Sequence, residues 1–185
     1  MTKMSKIFFL KIGFGLLALL VLAGFCVLKS EAQTKKKTPV VKSKSLCQAN
    51  EQTVWSCTTT KNKIASVCAS KDLAEDKGYV QYRFGVLGKI ELEFPKERKD
   101  SQKAFKYSHY TRPLVTLLTL SFENNGTFYE IHDDDNSEEK PPVRAASIDF
   151  SSFGQSGAIP SVVCKLPTVG SLMKLEDIVP RDEEN

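Results

Sequence analysis

The chain has only two histidines, one tryptophan and no cysteines at C-x-x-C spacing. Each shortage removes a class of function. Zinc ribbons and thiol redox motifs both need close cysteine pairs. Neither His109 nor His132 stands at ligand spacing from a cysteine, so no metal and no cofactor is expected. The G-x-S-x-G nucleophile elbow is missing too; "FGQSGA", residues 153–158, is the nearest approach. There is no glycine-rich phosphate loop, no nucleotide motif and no internal repeat. No catalytic residue is assigned, and the chain reads as a non-enzyme.

Positive charge is also scarce where a nucleic-acid binder would need it. From Cys47 onward the chain carries 17 basic and 21 acidic residues. The formal net charge of +4 therefore arises in the first 46 residues, and nucleic-acid binding has no basis.

Those first residues read as an export segment. Lys3, Lys6 and Lys11 precede an uncharged apolar run, Ile12 to Leu28, and "SEA" follows with small residues at Ser30 and Ala32. The pattern predicts a signal peptide over residues 1–32, cut between Ala32 and Gln33, with no membrane span left after cleavage. A retained signal anchor in the inner membrane is the alternative, since the run is just short of a bilayer span. Cys26 follows Phe25 rather than the small residue a lipobox needs, so it reads as apolar filler. Residues 33–46 carry five lysines and no acid, which predicts a flexible basic leader. The predicted location is periplasmic or secreted.

The remainder, residues 47–179, reads as strands, with a frayed tail at 180–185. "YVQYRF" and "KIELEF" alternate clearly, placing Val80, Tyr82 and Phe84 inside with Ile90, Leu92 and Phe94, and leaving Gln81, Arg83, Glu91 and Glu93 outside. Asn125-Gly126 between apolar runs predicts a type I′ hairpin. "SLMKLEDIV" suits one short terminal helix. About eight to nine short strands joined by hairpins predict an all-β protein, an antiparallel sandwich or barrel.

Four cysteines remain in the exported part: Cys47, Cys57, Cys68 and Cys164. An even number in an exported chain predicts disulfide staples. The expected pairing is Cys57–Cys164 with Cys47–Cys68, so that the first bond joins first to last strand and closes the sheet. Cys57–Cys68 across the first hairpin is the rival; it needs a turn centred on Asn62-Lys63.

Two segments are candidate recognition loops. "HDDDNSEEKPP" reads as an exposed acidic loop with Asp133, Asp134 and Asp135. Asp133, Asp135 and Ser137 match three EF-hand positions, but Glu138 stands where glycine is needed and Arg144 where the bidentate glutamate belongs. "SSFGQSGAIP" reads as a Gly/Ser-rich loop containing Ser156. Glu91 and Glu93 could form a carboxylate pair, although residues i and i+2 on a strand face more often keep an edge soluble.

The stretch "SLCQANEQTVWSCTTTKNKIASVCAS", with "YVQYRFG" and "KIELEFP", resembles a group of small exported proteobacterial proteins with no assigned activity. More loosely, Trp55-Ser56-Cys57 and the late Cys164 are similar to the periplasmic C-type lysozyme inhibitors. Their inhibitory serine loop would correspond to Ser156-Gly157-Ala158, while their lysine-glycine motif is absent. These resemblances imply an exported β-domain.

The expected function is a non-catalytic binding module of the bacterial envelope with a protein or envelope-polymer partner. The alternatives are an envelope-polymer hydrolase and a lysozyme-inhibitor-like protein. Intact-mass measurement of the exported protein should give a chain starting at Gln33. Retention of residues 1–32, or a lipid on Cys26, would contradict that expectation.

Overall fold

The computed structural model describes residues 45–152, 154 and 160–182. The predicted signal peptide, its cleavage site, nearly all of the basic leader and Ser156 lie outside these residues. The described chain holds nine antiparallel strands: β1 (Glu51–Thr59), β2 (Ile64–Ser70), β3 (Val80–Val86), β4 (Lys89–Phe94), β5 (Lys106–Arg112), β6 (Val115–Asn124), β7 (Thr127–Asn136), β8 (Val143–Ser152) and β9 (Ser161–Gly170). Among the described residues there is no α-helix, only the 3-10 turns Ser101–Ala104 and Leu172–Leu175. None of their helices is long and apolar enough to cross a membrane.

All nine strands form one sheet in the order β4-β3-β2-β1-β9-β8-β7-β6-β5. Two meanders, β1–β4 and β5–β9, thus meet where β1 pairs with β9. The sheet curls into a half-barrel. Phe94 on β4 stacks on Phe122 of β6 with centroids 4.5 Å apart, and Phe122 stacks on Tyr129 of β7 at 4.8 Å. The Phe94–Phe122 stack joins the two arms of the curl, and the Phe122–Tyr129 stack continues it across the paired strands β6 and β7.

Turn chemistry explains the hairpins. Asn125 and Gly126 have φ of 51° and 72°, the two positive values that a type I′ turn requires. At Gly170 the chain passes against β1 so closely that a Cβ would lie 2.0 Å from the Val54 carbonyl oxygen. Only glycine permits that approach.

The predicted disulfides are both present, with Cα separations of 5.3 Å for Cys47–Cys68 and 5.7 Å for Cys57–Cys164. The register excludes the rival pair. Cys57 opposes Ala65, whereas Cys68 opposes Thr53. A bulge between Thr53 and Trp55 leaves Cys57 on the inner face with Trp55, while Cys68 points outward with Thr53. The role expected for Cys57–Cys164 needs correction. First and last strands are neighbours at the middle of the sheet, with Thr59 opposite Cys164. The bond therefore staples the junction of the two meanders, and the edges of the sheet are β4 and β5.

The inner face is apolar. Trp55, Val67, Val80, Tyr82, Phe105, Leu120, Ile131 and Ile148 are buried there. Ile90 does not join Leu92 and Phe94 on the inner face as expected, because a register shift after Phe84 sets it opposite Gly85 and leaves it exposed.

A larger correction concerns Gln81 and Arg83. Both point to the outer face as the alternation requires, yet Gln81 is 1% and Arg83 0% exposed. Residues 45–48 lie over this face. Leu46 donates its N–H to Ser66 Oγ at 3.0 Å, and Cys47 is bonded to Cys68. Beneath them Arg83 makes a bidentate pair with Glu51 (2.5 and 2.9 Å), and donates to Glu93 at 2.7 Å and Gln81 at 2.8 Å. Tyr79 donates its hydroxyl to Glu51 at 3.0 Å, and Gln48 its N–H at 2.6 Å. A buried charge is tolerated when its hydrogen-bonding capacity is met in this way.

The chain end is also more ordered than a frayed tail from residue 180 would be. Tyr107 donates its N–H to the Pro180 carbonyl at 2.9 Å and accepts from the Asp182 N–H at 2.9 Å. This short parallel contact covers part of the β5 edge.

Removing one partner of the buried pair leaves an uncompensated charge. Arg83→Met should cost about 3–5 kcal/mol in urea unfolding. Burial alone would raise the Glu51 carboxyl, but the Arg83 guanidinium and the Gln48 N–H outweigh it and hold the group below its ordinary 4.5. A depressed folded pKa contributes stability that is present above the unfolded value and lost as pH falls through the folded one. Urea midpoints should therefore fall more steeply below about pH 4.5 for the wild type than for Glu51→Gln.

Candidate functional site

The two ends of the half-barrel differ. One is capped by the turn Leu172–Leu175. Its Leu172 and Leu175 are buried, and Ser171 Oγ accepts the Met173 N–H at 3.2 Å as an N-cap. Asp133 Oδ2 accepts the Leu172 N–H at 3.2 Å. Nearby, His109 Nδ1 lies 3.2 Å from Glu176 Oε1, and Arg181 donates to the same oxygen at 2.7 Å. The His109 bond and Arg181 hold the Glu176 carboxyl below its usual range.

The acidic segment is consequently not the exposed loop that its composition suggests. Asp133, Asp134 and Asp135 continue β7, paired with Leu118, Leu117 and Thr116 on one side and with Ala146, Ala145 and Arg144 on the other. Asp133 follows Tyr129 and Ile131 onto the inner face and is buried. Asp134 faces outward, where partial burial raises its carboxyl. Asp135 pairs with Arg144 at 3.3 Å and accepts from Ser137 Oγ at 2.9 Å. A paired central strand also excludes an EF-hand loop, so the structure gathers no recognition loop at these aspartates.

Among the described residues the other end of the half-barrel is open. A cavity of about 370 Å3 lies there, walled by Phe84, Leu92, Tyr129, Phe150 and Val162 and floored by Tyr82 and Ile148. These residues come from the mouth-side ends of β3, β4, β7, β8 and β9, which antiparallel pairing brings to one rim. Thr59, Lys61, Lys63 and Glu91 edge the opening. Lys63 pairs with Glu91, and its ammonium lies 5.4 Å from the centroid of the Phe84 ring. Residues 153–159, including Ser156, connect the two strands that supply Phe150 and Val162; Ser156 itself lies outside the described residues.

A larger cleft of about 640 Å3 is lined by Glu75, Asp76, Lys77, Lys99, Asp100 and Lys103 among others. Its charges alternate in sign and it has no aromatic wall. We take the open end as the site, because apolar walls with a few polar groups at the rim characterise small-ligand pockets.

Thr119 Oγ1 lies 3.2 Å from His132 Nδ1, and His132 Nε2 lies 3.6 Å from Asp149. This hydroxyl–imidazole–carboxylate row resembles a nucleophile with its base. However, it crosses the outer face of paired strands β6, β7 and β8, and none of its members lines either cavity. Ladder pairing occupies the backbone N–H groups that an oxyanion hole would require. Glu91 and Glu93 are also separated in role: Glu91 sits at the mouth with Lys63, and Glu93 is bound by Arg83.

Cys47, Glu51 and Cys68 bring three metal-type ligand atoms within 4.8 Å of one another. Both sulfurs are consumed in a disulfide, and the carboxylate is engaged by Arg83. These residues do not fit a metal ion.

The class defined by these observations is a small, disulfide-stapled β half-barrel with one end capped and, among the described residues, the other open. Comparison of the chain with protein-family models, curated proteins and solved structures gives no match.

The sequence marked Tyr82, Phe84 and Leu92 as inward-facing but carried no signal for a mouth. Phe150 and Val162 follow them by 58 to 80 residues, and only the register unites them with Tyr129 at one rim.

Asp133→Ala should lower stability by about 1.5–3 kcal/mol, the range for a hydrogen bond to a charged group. Asp135→Asn should stay within about 0.5 kcal/mol, as for other surface changes. Equal urea midpoints for the two variants would contradict the capping role.

Proposed function

We propose that the protein is an exported, non-catalytic binding module of the bacterial envelope, with its ligand engaged at the open end of the half-barrel. The observation that carries this reading is the apolar cavity. Five half-buried side chains, three of them aromatic, surround a space on the small-ligand scale and are left uncovered by the described chain. Two disulfides suit an oxidising, extracytoplasmic compartment. The export segment supports a periplasmic or secreted location as part of this proposal. The acidic stretch supports a partner contact less well, because Asp133 is buried beneath the capping turn.

The test uses a neutral apolar fluorophore, N-phenyl-1-naphthylamine. Wild-type protein should bind it with enhanced emission. Phe150→Asp, which places a charge in the wall, and Val162→Trp, which fills the space, should each weaken binding by about tenfold or more. Near-ultraviolet circular dichroism verifies that the variants remain folded. No binding by the wild type, or wild-type affinity in both folded variants, would overturn the proposal.

A further inference from the structure

The charge around the mouth runs against the charge of the domain. From Cys47 onward acids outnumber bases, yet the rim carries Lys61 and Lys63 against Glu91 alone. Lys165 lies beside the same turn, donating to Asn62 Oδ1 at 2.7 Å. Lys63 is paired with Glu91. Lys61 and Lys165 have no acidic partner among the described residues. Two ammonium groups thus edge the apolar opening with one carboxylate to balance them, and the third, Lys165, lies beside the turn that carries them.

The turn fixes this placement. Thr59 donates its N–H to the Lys63 carbonyl at 2.7 Å, and Lys63 donates its N–H to Thr59 Oγ1 at 3.0 Å. Asn62 takes a positive φ of 61° to close the turn. Behind it, the Thr60 N–H donates to the Val163 carbonyl at 2.9 Å, and Cys57–Cys164 staples β1, from which the turn leaves, to β9. The lysines are therefore carried on a backbone that is braced on both sides, not on a free loop.

We propose that the mouth binds a single-chain anionic amphiphile: an apolar chain seated among Phe84, Leu92, Tyr129, Phe150 and Val162, with a carboxylate or phosphate head at Lys61 and Lys63. This inference rests on the mouth being the ligand site. The apolar walls account for the chain. Walls and floor offer only the Tyr129 and Tyr82 hydroxyls as side-chain hydrogen-bonding groups, so a polar body would lose most of its hydration without replacement. The rim accounts for the head. Opposite charge at the opening attracts an anion and fixes which end of the amphiphile stays in water. A cationic amphiphile would meet the lysines as like charges.

Displacement of bound N-phenyl-1-naphthylamine separates the possibilities at low salt and below each competitor's micelle threshold. The competitors are dodecanoate, monododecyl phosphate, lysophosphatidylglycerol, dodecanol, dodecyltrimethylammonium and 2-naphthoate. Dodecanoate or dodecyl phosphate should displace the probe at about tenfold lower concentration than dodecanol or the cation, an advantage that raised salt reduces. Lys61→Gln/Lys63→Gln should remove most of that advantage, while Lys174→Gln at the capped end should keep it. Dodecanoate ahead of lysophosphatidylglycerol identifies the free acid as the source of the head group; the reverse order identifies a lipid headgroup. Equal displacement by anion, alcohol and cation would overturn the inference and leave the mouth itself intact. So would 2-naphthoate outcompeting every dodecyl anion, or full discrimination surviving in the double lysine variant. Failure of the fluorophore to bind at all would instead sink the underlying site.

Discussion

The pairing of β1 with β9 is the contact on which the rest depends. It is the one ladder joining the β1–β4 meander to the β5–β9 meander. Every other ladder links strands that follow one another along the chain, so its loop closes cheaply. This one brings together segments separated by most of the domain. Cys57–Cys164 spans 107 residues at that junction. In the chain-entropy model a loop of that order contributes about 4.7 kcal/mol by restricting the unfolded chain. The contribution falls where local contacts supply least. Gly170 adds a steric condition, since β9 meets β1 at a distance only a glycine allows.

A curled sheet of this kind has two surfaces to satisfy, and the protein treats them differently. The inner face is filled by aromatic and aliphatic side chains. The outer face around Ser66, Gln81 and Arg83 on β2 and β3 is polar but dry, because residues 45–48 cover it and Cys47–Cys68 holds them there. Arg83 becomes tolerable in that setting because Glu51, Glu93 and Gln81 accept its donors. The second disulfide thus anchors a cover over an ion pair rather than closing a loop in the core. Neither bond lies at the seam between the edge strands, where Phe94, Phe105 and Phe122 make the contact.

Among the described residues the asymmetry of the ends follows from the segment after β9. After β9 the chain turns at Gly170 across one end, where Ser171, Leu172 and Leu175 form the cap and Asp133 receives the exposed N–H of that turn. No described segment crosses the other end. Its apolar side chains remain half-buried, and the hairpin turns that edge it carry the lysines. Binding capacity in this reading is a consequence of capping one end only.

Much of the strand pattern was legible in the sequence because a period of two reports directly which side chains share a face. Tyr82 with Phe94, Trp55 with Cys57, and the Asn125-Gly126 turn all follow from local rules, and the cysteine count followed from the export segment. What alternation cannot report is whether a face is covered by a distant segment. Gln81 and Arg83 point outward as their positions dictate; their burial was decided by residues 45–48. Composition marked the aspartates as loop, and only pairing to β6 and β8 made them strand and turned Asp133 into a cap. The sequence by itself determined most of the strands and which side chains share a face, since these rest on neighbours along the chain, while the register decided between the cysteine pairings. The strand order, the buried ion pair and the open apolar mouth depend on long-range register, which brings Phe84, Leu92, Tyr129, Phe150 and Val162 to one rim only when the sheet is complete.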